Sequence, residues 1–464
     1  MAEAPAEQPE PKRWPSRPAR AIFYAILALA AADLIASLVT GLMLGREIRK
    51  LRASGDMPPP DQLIPQVPSG LANAADVYLL AFSARQLPEG SEETLFGGPV
   101  EEWSPLELAD ARRIMAANAE HFRILDQASR IPGCAFPVNW QDGVSAVFPH
   151  LAEIRQSTRL LLIRAVMEAQ DGLTDAALAD CGTMLRIAGH TECESTIIAQ
   201  TVAQVVQDAA VQALRKALPS GDPSPKAARE MMNQLAAADN TKPFEQAVKG
   251  ELVLFGVKLF DLARSRNGKD AEGLMGEDPE HPWRGRALGA YATIARPLAN
   301  LDEIAYLHAM KRGIDAVALP WPRSKEQLEA ADQWVEDLPG YRSLLTRMSF
   351  PQFTRAVENR DSRTAALRAA LVAVALIIYK SERGAYPDSL AALRHAGFKL
   401  PTDPFTQQPY RYHRNGDGFV VYSLGPDMHD QGGRPFSPNA GRHLPREEAK
   451  KRVQEYDIPF RRPR

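Results

Sequence analysis

Residues 21–45 read AIFYAILALAAADLIASLVTGLMLG, and this stretch decides how the rest of the chain is interpreted. It contains no Lys, Arg or Pro, and about 20 apolar residues in a helix suffice to cross the hydrocarbon core of a bilayer. A cleaved secretory signal is the alternative, but its apolar core is shorter, at about 7–15 residues. We therefore predict a retained, single-pass transmembrane helix that contacts membrane lipid through residues 21–45.

Four residues that are small or acidic recur at every fourth position of this stretch: Asp33, Ser37, Gly41 and Gly45. Residues at that spacing share one face of a helix, and a pair of small residues lets two helices approach closely. A carboxyl group inside a membrane usually faces protein. The pattern predicts a homo-oligomer formed through this face. The alternative is an Ala-rich anchor that tolerates one carboxyl.

The segments on either side of the span are polar. Residues 1–20 are rich in Pro, Glu and Ala and then basic, which predicts a disordered tail. Residues 46–70 carry five prolines and predict a semi-rigid linker that holds the following part away from the membrane. Basic residues flank the span equally, so the positive-inside rule gives no orientation. Because the N-terminal tail is short, we expect the bulk of the protein to be extracytoplasmic.

Residues 71–350 have the periodicity of an all-α body. Ser104-Pro105-Leu106-Glu107 and Ser324-Lys325-Glu326-Gln327 both match the capping box, in which Ser and Glu or Gln begin a helix. Apolar residues between such signals recur at helical spacing. The net charge of −2 gives no support to nucleic-acid binding. The fold class predicted for the whole chain is mainly α.

Residues 361–440 predict a small α+β domain, followed by a basic tail over 441–464. The first helix carries an apolar run, Ala369–Tyr379, that is too short to cross a bilayer and is bounded by charged residues. We expect this helix to be buried against a sheet. Residues 415–418, Asn-Gly-Asp-Gly, predict the turn of a hairpin.

The motifs of this C-terminal region also carry a resemblance. Gly384-x-Tyr386-Pro387, Asp403-Pro404-Phe405 and Tyr422-Ser423-Leu424-Gly425-Pro426-Asp427 occur in the order found in the soluble domain of the major pseudopilin of type II secretion. The region resembles that domain, and the whole layout resembles planctomycete-type membrane-anchored proteins. The first resemblance implies a pseudopilin-like fold; the second implies no activity.

The pseudopilin resemblance also implies calcium as a cofactor. In that family the loop after the last strand binds calcium, and the matching loop here contains Asp427 and Asp430. Asp457 is similar to a late acidic residue of related loops. Calcium takes six to eight oxygen ligands, which carboxylates and main-chain carbonyls can supply. An Asp/Gly-rich turn without an ion is the alternative.

Common catalytic motifs are absent, because the sequence has no phosphate-binding loop, no Gly-x-Ser-x-Gly and no His-Glu-x-x-His. We therefore predict a membrane-anchored scaffold or binding protein with protein partners, rather than an enzyme. The alternatives are a membrane-anchored hydrolase with its site near Trp140, His150 and His190, and a component of a secretion apparatus. A pocket holding two or more of those three side chains would favour the enzyme, and a long apolar or grooved helical surface would favour the scaffold.

Overall fold

The computed structural model describes residues 17–90, 100–264, 296–435 and 457–463, together with residues 95 and 98. Helices dominate these residues and strands are few, which confirms the mainly-α prediction. Residues 1–16 of the predicted disordered tail and residues 441–456 of the predicted basic tail lie outside the described residues.

Helix α1 (Arg17–Ala53) contains the whole predicted span and continues beyond it without a break. The predicted linker over 46–70 is therefore wrong in its first part, which is helical. The second part of this segment is not a free spacer either, because Met57 and Leu63 are buried in the core. Apolar side chains bind the segment to the body in spite of its prolines, so the chain joins the body directly after α1.

The body is built from twelve further helices in the described residues, most of them joined by short turns: α2 (Ala74–Ala84), α3 (Pro105–Ala117), α4 (Ala119–Ser129), α5 (Pro149–Gln170), α6 (Thr174–Glu192), α7 (Ile197–Ser220), α8 (Pro225–Ala238), α9 (Lys242–Gly250), α10 (Val257–Arg264), α11 (Arg296–Val317), α12 (Arg323–Glu336) and α13 (Leu344–Ser349). A π-helical turn over Glu251–Gly256 joins α9 to α10. Helices α5, α6 and α7 pack closely against one another. Apolar residues at helical spacing give each helix the buried face that this packing needs.

One capping box formed and the other did not. The Ser104 backbone N–H donates to Glu107 Oε2 at 2.6 Å, and the Glu107 N–H donates to Ser104 Oγ at 3.3 Å, at the start of α3. Helix α12 instead begins at Arg323, one residue before the predicted cap, and Ser324 is buried inside its first turn. Pro322 precedes the helix and has helical dihedrals, so the chain is already helical where a cap would need an extended residue.

The C-terminal region contains α14 (Phe353–Arg383), α15 (Leu390–His395) and a three-stranded antiparallel sheet of β1 (Arg411–Asn415), β2 (Gly418–Ser423) and β3 (Ile458–Arg462). The predicted hairpin is present, with Asn415 opposite Gly418. The predicted basic tail is wrong at its end, because residues 458–462 pair with β2 as β3. Ile458 and Phe460 anchor this strand by pointing into the core.

Helix α14 connects the sheet to the helical body. It contacts α7, α8 and α12 as well as β2 and β3. Its apolar residues, including Leu371, Val374 and Leu376, are buried. The predicted body and C-terminal domain therefore share one continuous hydrophobic core.

Candidate functional site

The first candidate feature is the contact between α1 and α11. Asn300 Nδ2 donates to Thr40 Oγ1 at 3.1 Å, and His308 Nε2 lies 3.4 Å from Glu47 Oε2. Residue numbers increase in the same direction on both helices along this contact. Helices α1 and α11 therefore run parallel, and the N-terminal end of α11 lies beside residue 40.

Helix α1 has two different halves. Its N-terminal half is apolar and exposed, with Leu29 and Leu34 each 71% exposed. In its C-terminal half, Leu44 and Leu51 are 9% and 6% exposed because they pack into the body. An exposed apolar surface of this extent marks a membrane or partner contact. The length and hydropathy of the helix are sufficient for it to span a membrane.

The predicted oligomer face lies across the boundary between these halves. Asp33 is exposed, whereas Ser37 and Gly45 are half-buried. A Cβ atom added to Gly41 would lie 3.8 Å from Asn300 Nδ2. Part of the face is therefore turned towards α11 of the same chain, and self-association through it stays a prediction.

The three residues of the predicted hydrolase site belong to one packed aromatic cluster. The His150 ring stacks on Phe136 with 4.1 Å between ring centroids, and His150 Nε2 lies 2.7 Å from Glu194 Oε1. Trp140 joins the cluster through an edge contact with Phe148. His150 and Glu194 are both buried.

His190 lies at the other end of this cluster, where its Nδ1 is 2.9 Å from the Tyr78 hydroxyl. Burial lowers the pKa of His190 and raises the pKa of Tyr78 well above its ordinary value. Both groups are therefore held in their neutral forms. None of Trp140, His150 and His190 lines either of the two clefts described below.

A cleft of about 590 Å³ lies beside the start of α7 and includes Glu192 and Cys193. Burial raises the pKa of Glu192 to about 7, opposed by a hydrogen bond from Gln207. The Cys193 side chain reaches the surface, but desolvation by the surrounding protein, with the nearby charges of Glu192 and Glu194, raises the pKa of its thiol. A thiol with a raised pKa is a weaker nucleophile at neutral pH, because less of it is thiolate.

The larger cleft, of about 1370 Å³, is a charged groove that sequence reasoning did not find. Elements distant in the chain form it, namely α7, α12, α14 and β3 with the residues around α13. The lining side chains include cations and carboxylates: Asp208, Arg215, Lys216, Asp332, Glu336, Arg347, Arg355, Glu358, Arg363, Asp457 and Arg461. No local pattern could reveal it, because the residues come together only in the folded chain.

Several buried polar atoms of this groove have no hydrogen-bond partner among the described residues: Arg215 Nε, Arg363 Nε, Asp332 Oδ1 and Asp457 Oδ1. Buried polar groups in folded proteins are nearly always hydrogen-bonded, so unpaired ones require an explanation. A bound polar partner would supply the missing hydrogen bonds. Unpaired buried atoms also occur elsewhere in the described residues, for example Arg85 Nη1 and His121 Nε2, but in the groove they coincide with the larger of the two clefts, which makes the groove a candidate binding surface.

The three carboxylates of the predicted calcium site each accept hydrogen bonds from the protein. Asp457 Oδ2 accepts the backbone N–H groups of Gln431, Gly433 and Arg434 at 2.7–3.2 Å. Asp430 Oδ1 accepts from the hydroxyl of Tyr422 at 2.9 Å. These bonds fix the loop after β2 against the residue that precedes β3.

Asp427 completes the set, with Oδ1 accepting the His429 N–H and Oδ2 accepting from Gln431. Burial raises the pKa of Asp457, whereas hydrogen bonds led by the Gly432 N–H lower the pKa of Asp430. Within the described residues, no group of three or more acidic, Cys or His side chains is arranged to hold a metal ion. Calcium binding therefore stays a prediction.

Comparison of the chain with protein families, with curated proteins and with solved structures gives no match. The resemblance of the C-terminal region to the pseudopilin domain thus stays an expectation from the sequence motifs. The site assignments above rest on the geometry of this chain alone.

Proposed function

We propose that the protein is a single-pass, membrane-anchored scaffold or binding protein. The observation that carries this proposal is the division of α1 into an exposed apolar half and a half packed on α11. Lipid would cover the first half, and the second joins the anchor rigidly to the helical body.

The same division supports a retained anchor rather than a cleaved signal. Cleavage near residue 45 would remove Thr40 from its contact with Asn300 of α11 and Leu44 from the hydrophobic core. It would leave the Asn300 amide without this partner and expose apolar surface of the body. Because the body is completed by α1, the uncleaved chain is the stable form.

The charged groove supplies the binding surface of this proposal. Its unpaired buried groups and its two signs of charge suit a polar segment of a protein partner. The pseudopilin-like module would then take part in assembly or recognition, because β3 forms one wall of the groove. An enzyme is not favoured, since the histidines of the sequence-based alternative are packed away from the clefts.

Photo-crosslinking in cells tests the binding role. A photoreactive residue at exposed Asn359, which lines the groove, should crosslink to a discrete partner, and Arg355→Glu should reduce that product. The same residue at exposed Arg394, away from the groove, serves as the control. Crosslinks at Arg394 but none at Asn359 would contradict the proposal. Co-purification of secretion proteins with the Asn359 product would favour the secretion-apparatus alternative.

Protease accessibility tests the proposed orientation. In intact spheroplasts, an extracytoplasmic body is digested while a cytoplasmic marker protein survives. Protection of the body until the membrane is lysed would place it on the cytoplasmic side. The membrane anchor would stand in either case, because both orientations use the same span.

Self-association and calcium binding are proposals with separate tests. Crosslinked dimers in membranes should be lost in the double variant Asp33→Leu plus Gly41→Leu, and undiminished dimers would contradict the face predicted from the sequence. Calcium should raise the melting temperature of the full chain but not that of Asp427→Asn plus Asp430→Asn. An unchanged melting temperature in the unsubstituted protein would contradict calcium binding.

A further inference from the structure

A cluster of exposed apolar and basic residues lies around α13. Tyr341, Leu344 and Met348 are 68%, 40% and 53% exposed, and Arg342 and Arg347 beside them are also exposed. Neither arginine forms an ion pair with a carboxylate of the described residues. We call these five residues the α13 patch. Its composition, apolar side chains with flanking cations, is that of surfaces that insert into an anionic membrane interface.

Hydrogen bonds to Asp302 fix where the α13 patch lies along the axis of α11, and this position gives its distance from the membrane. The Asp302 carboxylate is buried and accepts the N–H groups of Leu345 at 2.9 Å and of Thr346 at 3.0 Å. The start of α13 is therefore fixed to α11 at this residue. Asp302 is two residues from Asn300, which is about 3 Å along a helix axis.

Asn300 lies beside Thr40 of α1, because its side chain donates a hydrogen bond to the Thr40 hydroxyl. The exposed apolar surface of α1 continues to Leu42 and Met43, which are 66% and 48% exposed. Since α1 and α11 run parallel, the start of α13 lies level with the last apolar residues of the span. The α13 patch is thus at the depth where hydrocarbon gives way to headgroups.

We propose that the α13 patch is a second membrane contact, which docks the body onto the lipid surface beside the point where α1 enters the bilayer. The occupant is the headgroup region of the same membrane. Leu344 and Met348 would enter the acyl boundary, and Tyr341 would sit at the interface as aromatic side chains commonly do. Arg342 and Arg347 would bind lipid phosphates. Arg347 also lines the charged groove, so the α13 patch borders the proposed partner-binding surface. This inference rests on the proposed anchoring by α1.

Depth measurement on the full-length protein in phosphatidylcholine–phosphatidylglycerol vesicles tests the inference. Cys193 is replaced by Ser because it is exposed, while the buried Cys134 and Cys181 are kept. An environment-sensitive fluorophore is attached to single cysteines that replace Met348, Leu29 or Leu173. Quenching by lipids that carry the quencher at different depths then locates each label.

We expect the label at Met348 within about 5–10 Å of the headgroup–acyl boundary. The label at Leu29 should lie deep in the bilayer. The label at Leu173, an equally apolar and exposed position at the turn between α5 and α6, should remain in water. Arg342→Gln plus Arg347→Gln should reduce the quenching at Met348, and Arg394→Gln should not.

Two other outcomes overturn the inference and can be told apart. If Leu29 is quenched while Met348 behaves like Leu173, the anchor stands and the α13 patch does not touch lipid. If Leu29 is not quenched, the proposed anchoring fails, and the docking that depends on it fails too. Labels at Leu344 give a second reading if the Met348 variant does not fold.

Discussion

Helices α1 and α14 are both long and apolar enough to cross a membrane, but they occupy opposite environments. The most apolar part of α1 has a mean hydropathy of 2.3 and is 0% buried, whereas that of the segment containing α14 has a mean hydropathy of 1.6 and is 72% buried. A hydropathy average over each helix would classify both as spans, although the continuous apolar run of α14, Ala369–Tyr379, is too short to cross a bilayer. The two helices differ in their packing, because α14 is enclosed by other helices and by the sheet, whereas the N-terminal half of α1 is exposed.

The C-terminal half of α1 adds a third case to this comparison, because it belongs to the same helix as the exposed half but packs on α11. Removing residues 1–36 should leave the free energy of unfolding of the body unchanged. Removing residues 1–53 should lower it by about 3–6 kcal/mol, because Leu44 and Leu51 each contribute about 1.5–3 kcal/mol by burial. Urea unfolding in detergent compares the two. Equal stabilities would show that α1 is not part of the body.

A matched pair of leucines tests the two environments directly. Leu376 in α14 is 0% exposed, and Leu34 in α1 is 71% exposed. Leu376→Ala should cost about 2–5 kcal/mol through lost burial and a cavity. Leu34→Ala should change stability by no more than about 0.5 kcal/mol, as surface substitutions usually do. A thermal melt in detergent measures both, and a larger loss at Leu34 would reverse the assignment of the two helices.

The two regions should also differ in their response to pH. Glu192 is in the body, and burial raises its pKa from the ordinary value of 4.5 to about 7. Between these values the unfolded chain has released a proton that the folded chain keeps, so this group makes stability fall as pH rises from about 4.5 to 7. Glu192→Gln should remove that part of the fall, as measured by melting temperatures at pH 5 and pH 7.5.

Asp33→Leu is the control for the titration experiment, since Asp33 lies in the exposed half of α1. Its substitution should leave the pH profile of the body as it was. A profile that changes with Asp33→Leu and not with Glu192→Gln would mean that the buried carboxyl of Glu192 is not the group responsible.

The smallest expected effect concerns the polar contact between the two parallel helices. Asn300→Ala removes the donor to Thr40 and should cost about 0.5–1.5 kcal/mol. Thr40→Val should cost a similar amount, and the double variant should cost less than the sum because one hydrogen bond is lost in both. A urea-unfolding cycle measures the coupling, and strict additivity would show that the contact does not stabilise the protein.

Local signals predicted much of the fold. The apolar run of α1, the capping box at Ser104 and the hairpin at Gly416 depend on neighbours in sequence, and each forms where expected. The cap predicted at Ser324 failed because the chain was already helical at Pro322. Strand β3 was missed because a short basic segment gains its strand partners only from the folded sheet.

Less of the candidate site than of the fold could be predicted from the sequence. Trp140, His150 and His190 do come together, but in a packed cluster rather than in a pocket. The charged groove depends on Arg215, Asp332 and other residues that are far apart in the chain. The spacing of residues along the sequence does not show which distant residues meet in the folded chain. The folded structure shows it, through the residues that line the groove and their unpaired buried polar atoms.

We propose that the exposed half of α1 remains in the membrane as a permanent part of the mature protein. Alkaline carbonate washing of cell membranes, followed by intact-mass analysis of the protein in the pellet, tests it most directly. We predict that the protein stays in the pellet with a mass that includes residues 21–45. Release into the supernatant, or a mature chain that begins after Gly45, would contradict this account.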